Sequence, residues 1–292
     1  MPFSAFILLV SLIISSGFSG CNKGSKLSIS EETATAKTDM KNISYGSDST
    51  QKMDIYLPAN RSADKTKTII FIHGGSWSGG DKYEFTDAIQ NLSSALPDYA
   101  MFSINYRLAY YGKNKFPAQM EDIESAINYI AEKSDDYEIN ADKICLVGAS
   151  AGAHLALLYA YKNNNDDKIK AVVDLFGPAD LTDLYHNHPV PSASQPVLVN
   201  LLGSTPNNKP ELYREASPVN YITANTVPTK IFHGAGDYVV PVAQSNKLKA
   251  KLQQNNVKVE LTVYPAEGHG WYGASLYDTY KKTADFIKEN VQ

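Results

Sequence analysis

The chain has 292 residues, 43% apolar and 20% charged, enough to close a sizeable core in one large α/β domain or two small ones. Its net charge of −4 carries no polyanion-binding signature, so nucleic acid is not an expected partner. With two cysteines in unlike contexts, a disulfide framework is excluded by arithmetic.

The first apolar stretch, Phe3 to Phe18, is interrupted by serines and is short for a membrane span. It is followed by the small pair Ser19-Gly20 and then Cys21. This pattern resembles a signal peptide over residues 1–20 ending in the lipobox of bacterial lipoproteins. The resemblance implies export and anchoring to a membrane through lipid on Cys21, with a plainly secreted protein and an uncleaved anchor as the alternatives. Residues 21–40 are polar with little apolar content and read as a tether, with the folded domain over 41–292.

From there strands and helices alternate. Ile43–Tyr45 and Lys52–Leu57 read as an opening hairpin, and Thr68–Ile72 and Ala100–Asn105 as buried strands. Gln119–Glu132 carries Met120, Ile123, Ile127 and Ile130 at helical spacing. Lys143–Val147 is strand-like and Ala153–Ala160 helix-like, and Cys145 within that strand reads as a small buried hydrophobe. Lys170–Leu175, Thr229–His233 and Glu260–Tyr264 follow as strands, with helices near Val242–Gln253 and Tyr277–Glu289. The alternation predicts an α/β fold whose mostly parallel central sheet is covered by helices on both faces. Residues 177–227 break the rhythm with many Pro, Asn and Ser residues and read as a lid-like insertion.

Between the Lys143–Val147 strand and its helix stands Gly148-Ala149-Ser150-Ala151-Gly152. A serine on a sharp strand-to-helix turn exposes its hydroxyl at the sheet edge, beside the positive end of the new helix. Serine is a poor nucleophile alone and needs a base, usually histidine, oriented by a carboxylate. His269, in the glycine-flanked loop Glu267-Gly-His-Gly-Trp271, is the candidate base; His233 is a competitor and His154 reads as packed or capping. His186 and His188 give only a weak metal signal, and no metal or organic cofactor is expected. Asp237 is the candidate acid, against Asp174, Glu267 and Asp180, the last of which reads as a helix cap. Acyl transfer develops an oxyanion that backbone N–H groups must meet. Ala151 is one candidate donor; Gly74 or Gly75, with Ser76 as a further candidate, would supply the other from the loop His73-Gly-Gly-Ser-Trp77, held in place by His73.

The motifs His73-Gly-Gly-Ser-Trp77, Gly80-Asp-Lys82, Asn105-Tyr-Arg-Leu108, Phe116-Pro-Ala118, Gly148-Ala-Ser-Ala-Gly152 and Ser217-Pro-Val219 resemble the α/β-hydrolase superfamily. The likeness covers roughly residues 43 to 290 and is to the esterase/lipase branch, in particular the bacterial feruloyl-esterase-like and acetyl-xylan-esterase-like carboxylesterases. It implies Ser150, Asp237 and His269 as a triad in the order Ser, Asp, His. The expected activity is hydrolysis of short or aromatic acyl esters through an acyl-enzyme, on a small ester or an acylated carbohydrate. The alternatives are a kynurenine formamidase-like N-formyl hydrolase and a non-catalytic binding module on the same fold. Aromatic residues beside the catalytic loops, Trp77, Tyr106 and Trp271 foremost, with Tyr110, Tyr111 and Tyr272, are the expected substrate contacts.

Overall fold

The computed structural model describes residues 35–292. The leader expected over 1–20 and Cys21 lie outside the described residues. Eight strands form one sheet: β1 (Thr38–Ser44), β2 (Lys52–Leu57), β3 (Lys67–Ile72), β4 (Tyr99–Ile104), β5 (Ile144–Ala149), β6 (Ile169–Leu175), β7 (Thr229–Gly234) and β8 (Val259–Tyr264). Their order is β1-β2-β4-β3-β5-β6-β7-β8. β2 pairs antiparallel with β1 and β4, and every pair from β4 to β8 is parallel. This is the α/β-hydrolase fold. β1 begins earlier than its apolar content suggests, so Thr38–Met40, inside the stretch read as tether, pair with Leu57–Ile55 of β2.

Side chains of a strand alternate between faces, and the inner strands carry apolar residues on both faces because both are covered. Ile70 and Ile72 of β3 enter one hydrophobic cluster with α2 (Ala118–Glu132), α4 (Ala151–Lys162) and α8 (Ala243–Gln254). Ile69 and Phe71 enter the other, with α1 (Thr86–Ala95) and α9 (Gly273–Asn290). Cys145 of β5 is wholly buried in that second cluster. The hydrophobic spacing that marks α2 buries Met120, Ile123, Ile127 and Ile130.

Three parts were not read as helices, the shortest being the single turn α3 (Ser134–Tyr137). α1 buries only Ile89 and Leu92 and is otherwise polar. The segment expected as an insertion holds α5 (Leu181–Asn187), α6 (Pro191–Leu202), α7 (Pro210–Glu215) and a 3₁₀ turn, Pro218–Tyr221. Three of its prolines start helical turns: Pro191, Pro210 and Pro218 each sit in a first turn, where the missing N–H has no intrahelical partner to lose, while Pro196 lies inside α6. Asp180 accepts Asp183 N–H at 3.0 Å as the cap of α5, the role expected for it, and pairs with Lys247 at 3.0 Å.

β6 carries one charge-capable group into the interior. Asp174 is buried; its Oδ1 accepts Gly177 N–H at 2.7 Å, while Oδ2 has no partner among the described residues. Burial pushes its carboxyl from 3.8 up to about 7, against the Gly177 hydrogen bond and the nearby His233. The native chain therefore keeps a proton that the unfolded chain has released between 3.8 and about 7, so stability falls as pH rises through that window. Asp174→Asn keeps the shape without the charge. Urea unfolding is expected to show it more stable than the parent at about pH 8, by on the order of 4 kcal/mol, and nearly equal at about pH 4. A constant difference across the two would contradict the buried-proton assignment.

Candidate active site

The site is built at the carboxyl ends of the parallel strands, where ligands bind in open α/β sheets. β5 turns into α4 through Ser150, whose φ of 52° and ψ of −117° are strained for a side chain larger than hydrogen. The turn is possible because its flanks are glycine. A Cβ on Gly148 would lie 2.4 Å from Gly152 O, and one on Gly152 would lie 2.0 Å from Ile72 O. The first turn of α4 thus rests directly on the backbone at the end of β3. Ser150 N–H donates to Leu175 O at 2.8 Å, tying the turn to β6 as well.

Ser150 Oγ stands 2.9 Å from His269 Nε2, and His269 Nδ1 stands 2.7 Å from Asp237 Oδ2. The loop after β5, the loop after β7 and the loop after β8 therefore bring together the three residues singled out in the sequence. The Asp237 carboxylate is fully partnered. Its Oδ1 accepts Val239 and Val240 N–H at 2.8 and 2.9 Å, and Oδ2 lies between His269 and His233, the latter at 3.2 Å. Burial by itself would raise its pKa, but hydrogen bonds from His233 and His269, the His269 charge and the Val240 N–H hold it far below the usual carboxylate range.

His233 is thus a second partner of the acid. Its Nδ1 meets Ser245 Oγ at 2.6 Å and its Nε2 meets Val240 O at 2.8 Å, so the buried ring braces the acid loop. The sequence places His233 four residues before Asp237, but that spacing gives no proximity on a strand, so only the fold shows this role. Of the competing acids, Asp174 holds Gly177, Asp180 caps α5, and Glu267 supplies its carbonyl to Gly236 N–H at 2.9 Å. His188 lies between Val190 N–H at 2.9 Å and Val239 O at 3.2 Å, joining the insertion to the acid loop.

The loop after β3 faces the serine. Gly74 lies against it: a Cβ there would be 3.3 Å from Ser150 Cβ. Gly75, Ser76 and Trp77 follow with φ of 98°, 54° and 58°, three consecutive left-handed residues. Gly75 must be glycine, since a Cβ would lie 2.3 Å from Gly79 O. Among the described residues the N–H groups of Gly74, Gly75 and Ala151 donate to no protein acceptor, which leaves them free for a ligand oxygen. His73 holds the loop as expected of it, by an Nδ1 contact to Gly74 O at 2.8 Å.

Of the three foremost aromatic contacts, Tyr106 is corrected by burial, and Trp271 stands away from the pocket that holds Ser150. Tyr106 is 1% exposed; its ring stacks on His73 at 4.4 Å and its hydroxyl donates to His73 O at 3.0 Å, so it supports the loop from beneath. Trp271 is buried, donates Nε1–H to Thr279 Oγ1 at 2.9 Å and does not line the pocket that holds Ser150. Trp77 does line that pocket, yet its indole N–H is committed to His154 Nδ1 at 3.2 Å, and His154 Nε2 meets Ala216 O at 2.7 Å. Burial lowers the His154 pKa to about 4, against the Ala216 hydrogen bond, so the ring is neutral and able to accept. His154 therefore links the strained loop, α4 and the insertion. Tyr110, Tyr111 and Tyr272 are exposed.

Gly152→Ala tests the backbone contact at the elbow. In an ordinary helix the change is stabilising by roughly 0.5–1 kcal/mol. Here the added methyl meets Ile72 O and His73 O, and a loss of about 3 kcal/mol or more in denaturant unfolding is expected. A stabilised variant would show that α4 does not approach β3 so closely.

The esterase LipC of Mycobacterium tuberculosis is 27% identical to this chain over 246 residues, covering 78% of the chain and 59% of LipC. The isoprenylcysteine alpha-carbonyl methylesterase ICME of Arabidopsis thaliana is 25% identical over 248 residues, covering 80% of the chain and 57% of ICME. The chain thus spans little more than half the length of these curated relatives. Among solved structures, a truncated carbohydrate esterase from gut microbiota superposes with a TM-score of 0.74 at 26% identity, covering 86% of this chain and 95% of that one. A bifunctional GH43-CE of Bacteroides eggerthii gives 0.74 at 27%, covering 86% and 38%. The BD-FAE family model matches residues 53–252, and the chain, with its eight-stranded sheet and serine elbow, belongs to the BD-FAE family.

Proposed function

We propose that the chain is a serine carboxylic ester hydrolase acting on short acyl esters through an acyl-enzyme. The observation that carries this is the unbroken line Ser150 Oγ, His269, Asp237 at 2.9 and 2.7 Å, with backbone N–H groups beside the hydroxyl that are unpaired among the described residues. His269 Nε2 takes the Ser150 proton as Oγ attacks the ester carbonyl, and Asp237 stabilises the imidazolium and fixes its tautomer. The negative oxygen is met by Ala151 N–H with Gly74 or Gly75 N–H. His269 then gives the proton to the departing alcohol, and water repeats the cycle on the acyl-Ser150.

The acyl size follows from the pocket. The space beside Ser150 is about 40 Å³, walled by Trp77, Leu184, Val197, Leu198 and Val240. That is room for roughly three water-sized groups, which favours acetyl over either a fatty or an aromatic acyl chain. An acylated carbohydrate as the natural ester is supported by the names of the similar solved structures, both carbohydrate-esterase proteins. Hydrolysis of 4-nitrophenyl esters from acetate to decanoate, with acetylated xylan and N-formylkynurenine alongside, tests this reading. The highest kcat/KM is expected at acetate, and Ser150→Ala is expected to lower it by about 10³-fold or more with the circular dichroism unchanged. A preference for decanoate, or for N-formylkynurenine over every ester, would overturn it.

The leader adds a location. Phe3–Phe18 followed by Ser19-Gly20-Cys21 supports export and lipid attachment at Cys21. Lipid chains on one cysteine bury far more apolar surface in a bilayer than the bare domain offers. Cys21→Ala is therefore expected to move the protein from the membrane to the soluble fraction of the cell. An unmodified Cys21 by mass spectrometry of the parent would reject the anchor.

A further inference from the structure

A second cavity lies against the chain neighbours of Ser150 and His269, on the other face of the sheet from the acyl pocket. It has about 190 Å³, and its walls include Phe71, Phe85, Ala88, Phe176, Trp271 and Leu276. It lies between the sheet and helices α1 and α9. At its upper end it is bounded by Ala149, the residue before Ser150, and by Gly270, the residue after His269. Phe176 adopts a φ of 49°, a conformation that is strained for a bulky side chain. Strain of this kind persists where the surroundings impose it, and it clusters at ligand sites. Here it places the Phe176 ring edge-to-face with His269 at 4.7 Å and with Trp271 at 5.2 Å. Trp271 has spent its single donor on Thr279, so its ring offers the cavity an apolar surface.

From this arrangement, which rests on the ester-hydrolase reading above, we infer that the cavity is the binding site for an uncharged aromatic ring on the alcohol side of the substrate ester, such as the aryl aglycone of an acylated sugar. The side follows from the chemistry. The acyl pocket holds Ser76, Trp77 and Ala151, the oxyanion side of Ser150. The departing oxygen must instead lie toward His269, which protonates it, and the second cavity adjoins His269 through Phe176 and Gly270. The size follows from the volume: an apolar cavity of about 150 Å³ accepts benzene. The charge follows from the walls. The one charged residue among them is Glu84, whose carboxylate is bound to Asp81 N–H at 3.1 Å and which disfavours an anionic ligand. Aromatic walls favour offset or edge-to-face contact with a further ring.

Ethyl acetate and benzyl acetate share an acyl group and differ in the ring. Ethyl phenylacetate moves the ring to the acyl side. In the full chain, kcat/KM for benzyl acetate is expected to exceed that for ethyl acetate by about tenfold, and ethyl phenylacetate is expected to be the poorest of the three. Ala88→Phe, on α1 and remote from the triad, fills the cavity. It is expected to remove the benzyl advantage through KM while leaving ethyl acetate within about twofold. Equal turnover of benzyl and ethyl acetate in the parent would overturn the inference and leave the esterase reading intact. So would an advantage for ethyl phenylacetate, or an Ala88→Phe effect that is the same for both acetates. Should no ester be hydrolysed, the esterase reading fails, and with it the alcohol-side assignment. Saturable quenching of tryptophan fluorescence by benzyl alcohol, abolished in Ala88→Phe, would then still establish the ring site itself.

Discussion

The close approach of the first turn of α4 to the end of β3 is the constraint from which the site follows. Gly152 permits it by having no Cβ, and Gly148 permits the chain to turn sharply enough to reach it. The approach places Ser150 opposite the Gly74–Gly75 loop and leaves the Ala151 N–H unpaired at a helix N-terminus. Nucleophile and oxyanion donors therefore come from a single packing event between two backbones. No side-chain arrangement could correct an error of one ångström there.

A second layer of buried polar groups fixes what the first layer exposes. His233, Ser245 and Val240 hold Asp237; His154 and Ala216 hold Trp77; Tyr106 and His73 hold the glycine loop. Each group is partnered, so its burial is tolerated and its geometry is narrow. Asp174 is an exception, with an oxygen unpaired among the described residues and a proton retained toward neutral pH. The insertion takes part in this layer through His188 and Ala216, and in the acyl pocket through Leu184, Val197 and Leu198. It is packed scaffold for one side of the site.

Motifs that depend on local backbone chemistry were legible in the sequence. Gly148-x-Ser-x-Gly152 demanded a tight strand-to-helix turn, and Lys52–Leu57 and the apolar spacing of α2 returned elements close to those observed. What escaped depended on tertiary context. α1 is too polar for periodicity to reveal, because only Ile89 and Leu92 face the sheet. The prolines of residues 177–227 read as breakers, although Pro191 and Pro210 occupy helix starts. Tyr106 was taken as a substrate contact because an aromatic residue near a catalytic loop looks the same in sequence whether it faces solvent or core. The bracing role of His233 requires knowing that the chain folds back over Asp237 within one turn.

Covalent labelling tests the central claim most directly, since it reads the reactivity of one hydroxyl rather than the sum of a reaction. An alkyl fluorophosphonate is expected to modify the peptide containing Ser150 and no other serine. The label should be lost in Ser150→Ala and strongly slowed in His269→Ala, with the fold intact in both. Ester hydrolysis that continues while Ser150 stays unlabelled, or a label on a different residue, would contradict the assignment of Ser150 as the nucleophile.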